Sequence, residues 1–318
     1  MIMRTVFFGT PASAVPFLEL LASKNGRVAA VVTQPDRPAG RGLAARPSPV
    51  KARALELGIP VLEPEKPSSA AADLKALGAD VAVIVAYGRI LKRDVLDAFR
   101  LGCLNVHFSL LPRLRGAAPV QWALARGEAK TGVTLFWLDE GMDTGPIFSQ
   151  KETAIGPDEN AGELLERLTG LGVERVQEAL ADLARGIMRR EPQRGEASLA
   201  PLLRKEDGRF SFDEPVQTIH DKVRGFCLWP KAHVVLRLPK GDLRLSVLST
   251  AREENPPIPP GRPGLIVRVG REQGVLIQCH DACLWLRTVC PEGKKPLAAA
   301  EFLNGLRLRA GDALPFQA

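Results

Sequence analysis

Long apolar runs are missing from this sequence: no stretch of about 18 consecutive apolar residues occurs, so no segment is long enough for a membrane-spanning helix. The first residues lead directly into a strand-like apolar segment and lack the layout of a secretory signal peptide. We therefore expect a cytoplasmic protein with no part in a membrane. Its 318 residues, 45% of them hydrophobic, are enough for a large core and for two domains.

Cysteine is scarce, and the five scattered residues argue against a disulfide framework. Cys279, His280 and Cys283 lie close enough in the sequence to suggest a metal site. The C-x-x-C spacing of zinc sites is absent, however, and no second histidine follows at ligand spacing. Apolar residues alternate on both sides of this segment, so we interpret the cysteines as ordinary strand residues and expect no metal.

Glycine-rich sequences that bind nucleotide phosphates are also missing. Gly9, which follows the first apolar run, leads into Thr-Pro-Ala-Ser rather than into the remainder of a G-x-G-x-x-G fingerprint. No G-x-x-x-x-G-K-[ST] sequence occurs. The fold can still be Rossmann-like, but a nicotinamide-dependent oxidoreductase and an ATP-binding protein are not expected.

The first half of the chain alternates short apolar runs with helical patterns. The runs are continuously apolar, which is typical of strands covered on both faces, so we predict an α/β fold with a Rossmann-like, mostly parallel open sheet. The predicted strands lie near residues 5–8, 27–33, 60–62, 80–86 and 103–108, and the predicted helices near 15–22, 49–58, 70–77, 91–99 and 160–185.

The second half has a different pattern. Residues 186–205 are polar and lack periodicity, and a helix near 216–226 is followed by five short strands with Gly- and Pro-rich turns. This spacing is typical of a small antiparallel β-barrel of the OB-like type. We therefore predict a first domain over residues 1–187, a linker over 188–205 and a C-terminal β-barrel domain over 206–318.

Three polar residues suggest a catalytic site. Asn105 and His107 lie two apart at the end of a predicted strand, so both side chains leave the same face, at the sheet edge where ligands bind. An amide donor beside an imidazole is suited to stabilising an oxyanion, and Asp143 on a later loop can orient the histidine or accept a proton. Each residue alone also has a structural interpretation, as a strand brace, a buried histidine or a turn residue. Together they favour transfer of an acyl-type carbon.

Positive charge is unevenly distributed in a chain whose formal net charge is +7. A cluster of cations without any acid suits a polyanion such as nucleic acid, and the region from residue 205 onward is also basic. Charge alone leaves open the alternative that the excess only keeps the protein in solution. The cations of the first cluster are Arg37, Arg41, Arg46, Lys51 and Arg53.

Three motifs resemble those of the folate-dependent formyltransferases. They are Asn-x-His at 105–107, Ser-Leu-Leu-Pro-x-x-x-Gly at 109–116 and Asp-x-Gly-x-Asp-Thr-Gly at 139–145. The resemblance implies 10-formyltetrahydrofolate as the formyl donor and no metal. It also implies that Asn105, His107 and Asp143 are the catalytic trio, and that Ser109, Leu110, Leu111 and Pro112 form part of the folate site.

Further matches narrow this resemblance to the members that formylate methionine on initiator tRNA. These matches lie at residues 8–11, 33–42, 47–51, 116–121, 229–230 and 293–295, so the resemblance covers essentially the whole chain. It implies that the loop around residues 37–51 enters the acceptor stem and that Arg41 helps to select the initiator. We therefore expect initiator methionyl-tRNA and the folate donor as partners of a monomer, with Arg37, Arg41, Arg46 and Lys51 binding the tRNA.

The hypothesis for the mechanism is attack of the free methionyl amine on the formyl carbon. Asn105 and His107 donate hydrogen bonds to the oxyanion, while Asp143 orients His107 and helps to remove the ammonium proton. One alternative is a sugar-nucleotide formyltransferase, which shares the chemistry but uses a different amine. The other is an RNA-binding protein with an inactive transferase domain.

Two segments depart from the family pattern. Phe108 stands where a small residue or proline usually follows the histidine, and it can either narrow the folate site or pack beneath it. Residues 227–233 replace a common Asn-Pro-Trp-Pro-Gly-Ala run.

Overall fold

Consecutive apolar residues form the middle of a seven-stranded sheet in the computed structural model, which describes residues 3–23, 27–39, 44–253 and 261–317. One central strand, Val81–Val85, is buried along its whole length, as expected where helices cover both faces. The strands up to residue 154 are β1 (Arg4–Gly9), β2 (Arg27–Val32), β3 (Arg37–Ala39), β4 (Ala44–Arg46), β5 (Val61–Leu62), β6 (Val81–Val85), β7 (Gly102–His107), β8 (Lys130–Trp137) and β9 (Ile147–Ala154).

The strand order in this sheet is β5-β2-β1-β6-β7-β8-β9. The pairs from β5 to β7 are parallel, whereas β8 and β9 are antiparallel to their neighbours. The predicted mostly parallel sheet is confirmed. The two antiparallel strands were not predicted. For β9 the reason is that it is an edge strand with one buried residue, so it lacks a continuous apolar run.

The five predicted helices of this part of the chain lie close to their predicted positions, and a sixth, over residues 119–125, was not predicted. Ser48 accepts a hydrogen bond from the backbone nitrogen of Lys51 at 3.0 Å, which caps the second helix as its Ser-Pro start predicts. The helix predicted over 91–99 is shorter than expected, with a single turn. The helices are α1 (Val15–Ala22), α2 (Pro49–Glu56), α3 (Ala71–Ala76), α4 (Arg93–Leu96), α5 (Pro119–Ala125) and α6 (Ala161–Ala184).

The basic loop predicted around residues 37–51 contains regular structure. Strands β3 and β4 pair with each other as an antiparallel hairpin, and Lys51 lies in the first turn of α2. Arg41 lies outside the described residues, as does the rest of the segment between the two strands.

Two compact units divide the chain. The first comprises Met1–Pro119, Lys130–Ala154 and Leu165–Pro201, and the second comprises Val120–Ala129, Ile155–Leu164 and Leu202–Ala318. The domain bounds derived from the sequence, 1–187, 188–205 and 206–318, stay a prediction. Among the described residues, no helix is both long and apolar enough to cross a membrane.

The second unit is built on a six-stranded antiparallel sheet with the path β10-β11-β14-β13-β12, to which β15 adds beside β14. All five strands predicted for the C-terminal half are present, and the sheet is consistent with the small barrel-like domain expected there. Its strands are β10 (His233–Leu238), β11 (Gly241–Arg252), β12 (Ile266–Gly270), β13 (Gly274–Gln278), β14 (Cys283–Pro291) and β15 (Leu297–Ala298), accompanied by α7 (Val216–Gly225) and α8 (Ala299–Leu306).

The cysteines of the second sheet bond to different neighbours. Cys279 is buried just after β13, and its thiol points to the carbonyl oxygen of Ile277. Cys283 begins β14 and donates its thiol hydrogen to Oε1 of Gln278 at 3.2 Å. Burial raises the pKa of the Cys279 thiol, so the sulfur is protonated and uncharged.

We expect Gly132→Ala to destabilise the first unit, because a Cβ at this position of β8 would collide with the backbone carbonyl of Lys151 and with Leu110. Overpacking of this kind lowers the free energy of unfolding by about 1–3 kcal/mol. Gly170→Ala is the matched control: a Cβ at Gly170 in α6 meets nothing within 4 Å, and alanine in a helix is favoured by roughly 0.5–1 kcal/mol. Urea unfolding followed by fluorescence should show opposite shifts, and equal shifts would contradict the packing described for β8 and β9.

Candidate active site

Strand β7 places Asn105 and His107 at the same face of the sheet. Asn105 pairs with Ile84 of β6 and Phe136 of β8, and its side chain is half-buried. That side chain forms no hydrogen bond with the described part of the chain, so its amide hydrogens are available to a substrate. His107 lies two residues further on, paired with Thr134, and is buried.

A hydrogen bond to the backbone determines the tautomer of His107. Nε2 of the imidazole lies 2.8 Å from the carbonyl oxygen of Leu114, and because a carbonyl only accepts, Nε2 carries the hydrogen. In the neutral ring Nδ1 therefore has a free lone pair. This atom faces the Asp143 carboxylate, with 3.7 Å between Nδ1 and Oδ2.

Burial also keeps the imidazole neutral. Desolvation lowers the pKa of His107 below its ordinary value of 6.5, and it outweighs the Asp143 carboxylate and the Leu114 carbonyl, which both raise the pKa. The ring therefore has an unprotonated Nδ1 at neutral pH. A carboxylate facing that atom stabilises the imidazolium that forms when Nδ1 accepts a proton.

Asp143 is held in an unusual backbone conformation on the loop between β8 and β9. Its φ of 53° lies in the left-handed region, which non-glycine residues rarely adopt. The carboxylate accepts a hydrogen bond from the backbone nitrogen of Gly116, with Oδ2 at 2.7 Å. Gly116 itself has a φ of 120° and lies so close to the Ala200 carbonyl that a Cβ would approach the oxygen to 2.6 Å. Only glycine fits there, so the backbone that donates to Asp143 needs a residue without a Cβ.

The Ser109–Pro112 turn follows β7 directly and is braced from inside the sheet. Thr134 donates to the carbonyl oxygen of Ser109 at 2.6 Å, and Gln150 donates to the carbonyl oxygen of Leu111 at 2.8 Å. The side chains of Ser109, Leu111 and Pro112 are buried, whereas Leu110 is half-buried. Contact of this turn with folate stays a prediction.

Phe108, the first departure from the family pattern, packs within the unit. Its side chain is buried, and its ring lies 6.5 Å from that of Phe17 on α1, centroid to centroid. This packing is compatible with a place beneath the folate site, but which of the two interpretations holds stays a prediction.

A segment that the sequence analysis did not connect with the site contacts it directly. Gln193 donates hydrogen bonds to the carbonyl oxygens of Asp143 and Gly145, and Ser198 accepts one from the backbone nitrogen of Leu114. The surrounding residues are polar and aperiodic, so nothing in the pattern distinguished these two side chains from their neighbours.

The predicted tRNA-binding residues differ in how accessible their charges are. Arg46 at the end of β4 is exposed. Lys51 instead forms ion pairs with Asp36 at 2.8 Å and Glu63 at 2.7 Å, so its charge is already neutralised. Arg37 lies in β3, and Arg41 lies outside the described residues.

Comparison with known proteins identifies the family. Residues 3–180 match the family model described as formyl transferase, and residues 202–307 match that of the formyl transferase C-terminal domain. The chain is 43% identical to the methionyl-tRNA formyltransferase of Elusimicrobium minutum and 46% identical to that of Sorangium cellulosum, covering 98% of this chain and 99% of each relative. The chain belongs to the methionyl-tRNA formyltransferase family. It is therefore an enzyme that transfers a formyl group.

Solved structures share the fold of this formyltransferase at lower sequence identity. HypX from Aquifex aeolicus in complex with tetrahydrofolic acid aligns with a TM-score of 0.68 at 20% identity, over 100% of this chain and 51% of HypX. An N-formyltransferase from Helicobacter canadensis in complex with folinic acid and dTDP-3-aminofucose aligns with a TM-score of 0.65 at 18% identity, over 90% of this chain and 99% of the other. These similarities establish the common fold.

Within the described ranges of the formyltransferase, no group of three or more His, Cys, Asp or Glu side chains is arranged to hold a metal ion. The polar groups gathered near β7 are instead an amide, an imidazole and a carboxylate. Such a set is suited to hydrogen bonding and proton transfer.

We expect nitrogen-15 NMR of the four histidines to show His107 neutral at neutral pH, with its hydrogen on Nε2. In Asp143→Asn the pKa of His107 should fall further, because the carboxylate that raises it is removed. The spectrum of His107→Gln assigns the signal by its loss. Protonation of the ring above its ordinary pKa, or a hydrogen on Nδ1, would contradict the geometry described here.

Proposed function

We propose that the protein transfers the formyl group of 10-formyltetrahydrofolate to the free amino group of methionine on initiator methionyl-tRNA. The product, N-formylmethionyl-tRNA, serves translation initiation. The observation that carries this proposal is the unpartnered amide of Asn105 beside a neutral His107 whose Nδ1 faces Asp143. The acceptor is taken from the methionyl-tRNA formyltransferases to which the whole chain is similar.

Asn105 acts on the carbonyl oxygen of the formyl group. When the methionyl amine attacks the formyl carbon, negative charge develops on that oxygen. The Asn105 amide donates a hydrogen bond to it from the face of β7. A preorganised donor of this kind is worth about 10²–10³ in rate, or roughly 3–4 kcal/mol.

His107 moves the proton. The attacking amine becomes positively charged as its bond to the formyl carbon forms, and Nδ1 of His107 accepts the proton directly or through water. Asp143 stabilises the resulting imidazolium. The bond between the formyl carbon and N10 of the folate then breaks, and the proton passes to that nitrogen. The expectation that His107 also donates to the oxyanion does not fit a neutral ring whose only hydrogen is held by Leu114.

The remaining assignments rest on the resemblance and stay proposals. The Ser109–Pro112 turn lies directly after the catalytic strand, which supports its assignment to the folate site. The exposed Arg46 and the Pro-stiffened segment around it support an approach to tRNA phosphates. A monomer in the cytoplasm, with the domain bounds predicted above, completes the proposal.

We expect transfer of labelled formyl from 10-formyltetrahydrofolate to methionyl initiator tRNA, with at least a 10²-fold lower rate in His107→Ala and Asn105→Ala. His280→Ala is the matched control, because His280 is exposed in the second unit and should leave the rate unchanged. An amino-sugar nucleotide is offered as the competing acceptor. Transfer only to the sugar would show that methionyl-tRNA is not the acceptor. Binding of tRNA without any transfer would favour an inactive RNA-binding protein.

We expect Arg46→Ala to weaken tRNA binding more than Lys51→Ala does. The Arg46 side chain is exposed, whereas the Lys51 ammonium already has two carboxylate partners. Each phosphate contact that is lost reduces the slope of log binding constant against log salt by about one. Filter binding over a salt series measures both quantities, and equal losses in the two variants would show that the ion pairs of Lys51 open on tRNA.

A further inference from the structure

Gln193 is the one inward-facing residue of a solvated stretch. Residues 184–197 are exposed except for Gln193, which is half-buried. It belongs to the 191–200 segment, which follows α6 and precedes the second unit at Leu202. A side chain that turns inward from such a stretch does so because of the contacts it makes there.

Both ends of the Gln193 amide are used. Nε2 donates to the carbonyl oxygen of Asp143 at 2.8 Å and to that of Gly145 at 2.9 Å. Oε1 accepts from two guanidinium nitrogens of Arg115, at 2.6 and 3.2 Å. Since carbonyl oxygens only accept and a guanidinium only donates, these partners fix which end of the amide is which.

We propose that Gln193 is a positioning residue for formyl transfer, holding Asp143 so that its carboxylate faces Nδ1 of His107. This inference rests on the proposed function and concerns the same site. Gln193 acts on the backbone of Asp143, while Gly116 binds the carboxylate.

The backbone of Asp143 needs such support. A φ of 53° is unfavourable for an aspartate and persists where the surroundings over-determine the conformation. The neighbouring bonds within the loop are made by Asp139, which accepts from Gly141 and Thr144. Gln193 is the side chain that reaches the Asp143 carbonyl from outside the loop.

The same segment supports the other member of the pair. Ser198 accepts a hydrogen bond from the backbone nitrogen of Leu114 at 2.9 Å, and the carbonyl of Leu114 is the partner of His107. Leu114 also has a left-handed backbone, with a φ of 58°. The 191–200 segment therefore holds both strained residues that flank the imidazole.

A purely structural role is the competing interpretation. In that case Gln193 would only tether the 191–200 segment through Arg115, and any acceptor at this position would serve. Glutamate separates the two roles, because it keeps the oxygen that binds Arg115 and removes both hydrogens that bind the carbonyls of Asp143 and Gly145.

The test compares Gln193→Ala, Gln193→Glu and the wild-type enzyme in single-turnover formylation of methionyl-tRNA at saturating substrates, with KM measured separately. We expect both variants to lower the single-turnover rate at least 10-fold, because a displacement of about 1 Å in a catalytic group can reduce the rate by up to 10²-fold. KM for both substrates should stay within about twofold of wild type, since Gln193 is not proposed to contact either one.

Gln150→Ala is the matched control. Gln150 is also a glutamine that donates to a backbone carbonyl of the first unit, but it is exposed and its partner is Leu111 in the predicted folate turn. Its loss should raise KM for the folate and affect the single-turnover rate less than Gln193→Ala does. Thermal unfolding of each variant shows whether the fold is kept.

A wild-type rate in Gln193→Glu would overturn the proposal and show that Gln193 only tethers the 191–200 segment through Arg115. A change in KM without a change in the single-turnover rate would also overturn it. If Gln193→Ala fails to fold, the Glu variant decides between the two roles. Absence of formyl transfer by the wild-type enzyme would instead refute the proposed function itself. The two failures are therefore distinguishable.

Discussion

His107 donates its Nε2 hydrogen to the Leu114 carbonyl, and the chemistry of the site depends on this bond. Because the ring is buried and neutral, its one hydrogen cannot serve both the backbone and a substrate. The free lone pair is consequently on Nδ1, where the Asp143 carboxylate lies. In the proposed mechanism this leaves Asn105 as the donor for a developing negative charge and His107 as the acceptor for a proton. These two proposed roles follow from the hydrogen bond between His107 and Leu114.

Two residues next to the imidazole have unfavourable backbone conformations in this arrangement. Leu114 and Asp143 both adopt left-handed conformations on either side of the imidazole, and each is tied to neighbours by hydrogen bonds. Strained residues that persist only because their surroundings hold them are concentrated at functional sites. In this protein the groups that hydrogen-bond Asp143 are the backbone nitrogen of Gly116 and the side chain of Gln193, from the polar segment that follows α6. The proposed catalytic site thus combines strand residues of the sheet with residues from irregular structure.

The basic residues differ in whether their charge already has a partner within the protein. Lys51 and Arg46 count equally in the net charge, yet Lys51 is satisfied by two carboxylates and Arg46 is exposed to solvent. Binding of a polyanion draws on cations whose charges are uncompensated. Only the folded chain shows that Lys51 is paired, because its partners Asp36 and Glu63 lie 15 and 12 residues away in the sequence.

The sequence alone determined the parallel sheet, the barrel-like second half and the residue types of the site, since continuous apolar runs, strand spacing and the Asn-x-His and Asp-Thr-Gly motifs are local signals. It missed β8 and β9; for β9 the reason is that a largely solvent-facing edge strand lacks such a run, whereas β8 is an interior strand that is buried except at Lys130. Tertiary structure alone decided the tautomer of His107, the left-handed backbone of Leu114 and Asp143, and the hydrogen bonds of Gln193. Each depends on which backbone group a side chain meets across the fold, and that long-range choice leaves no period or motif in the sequence.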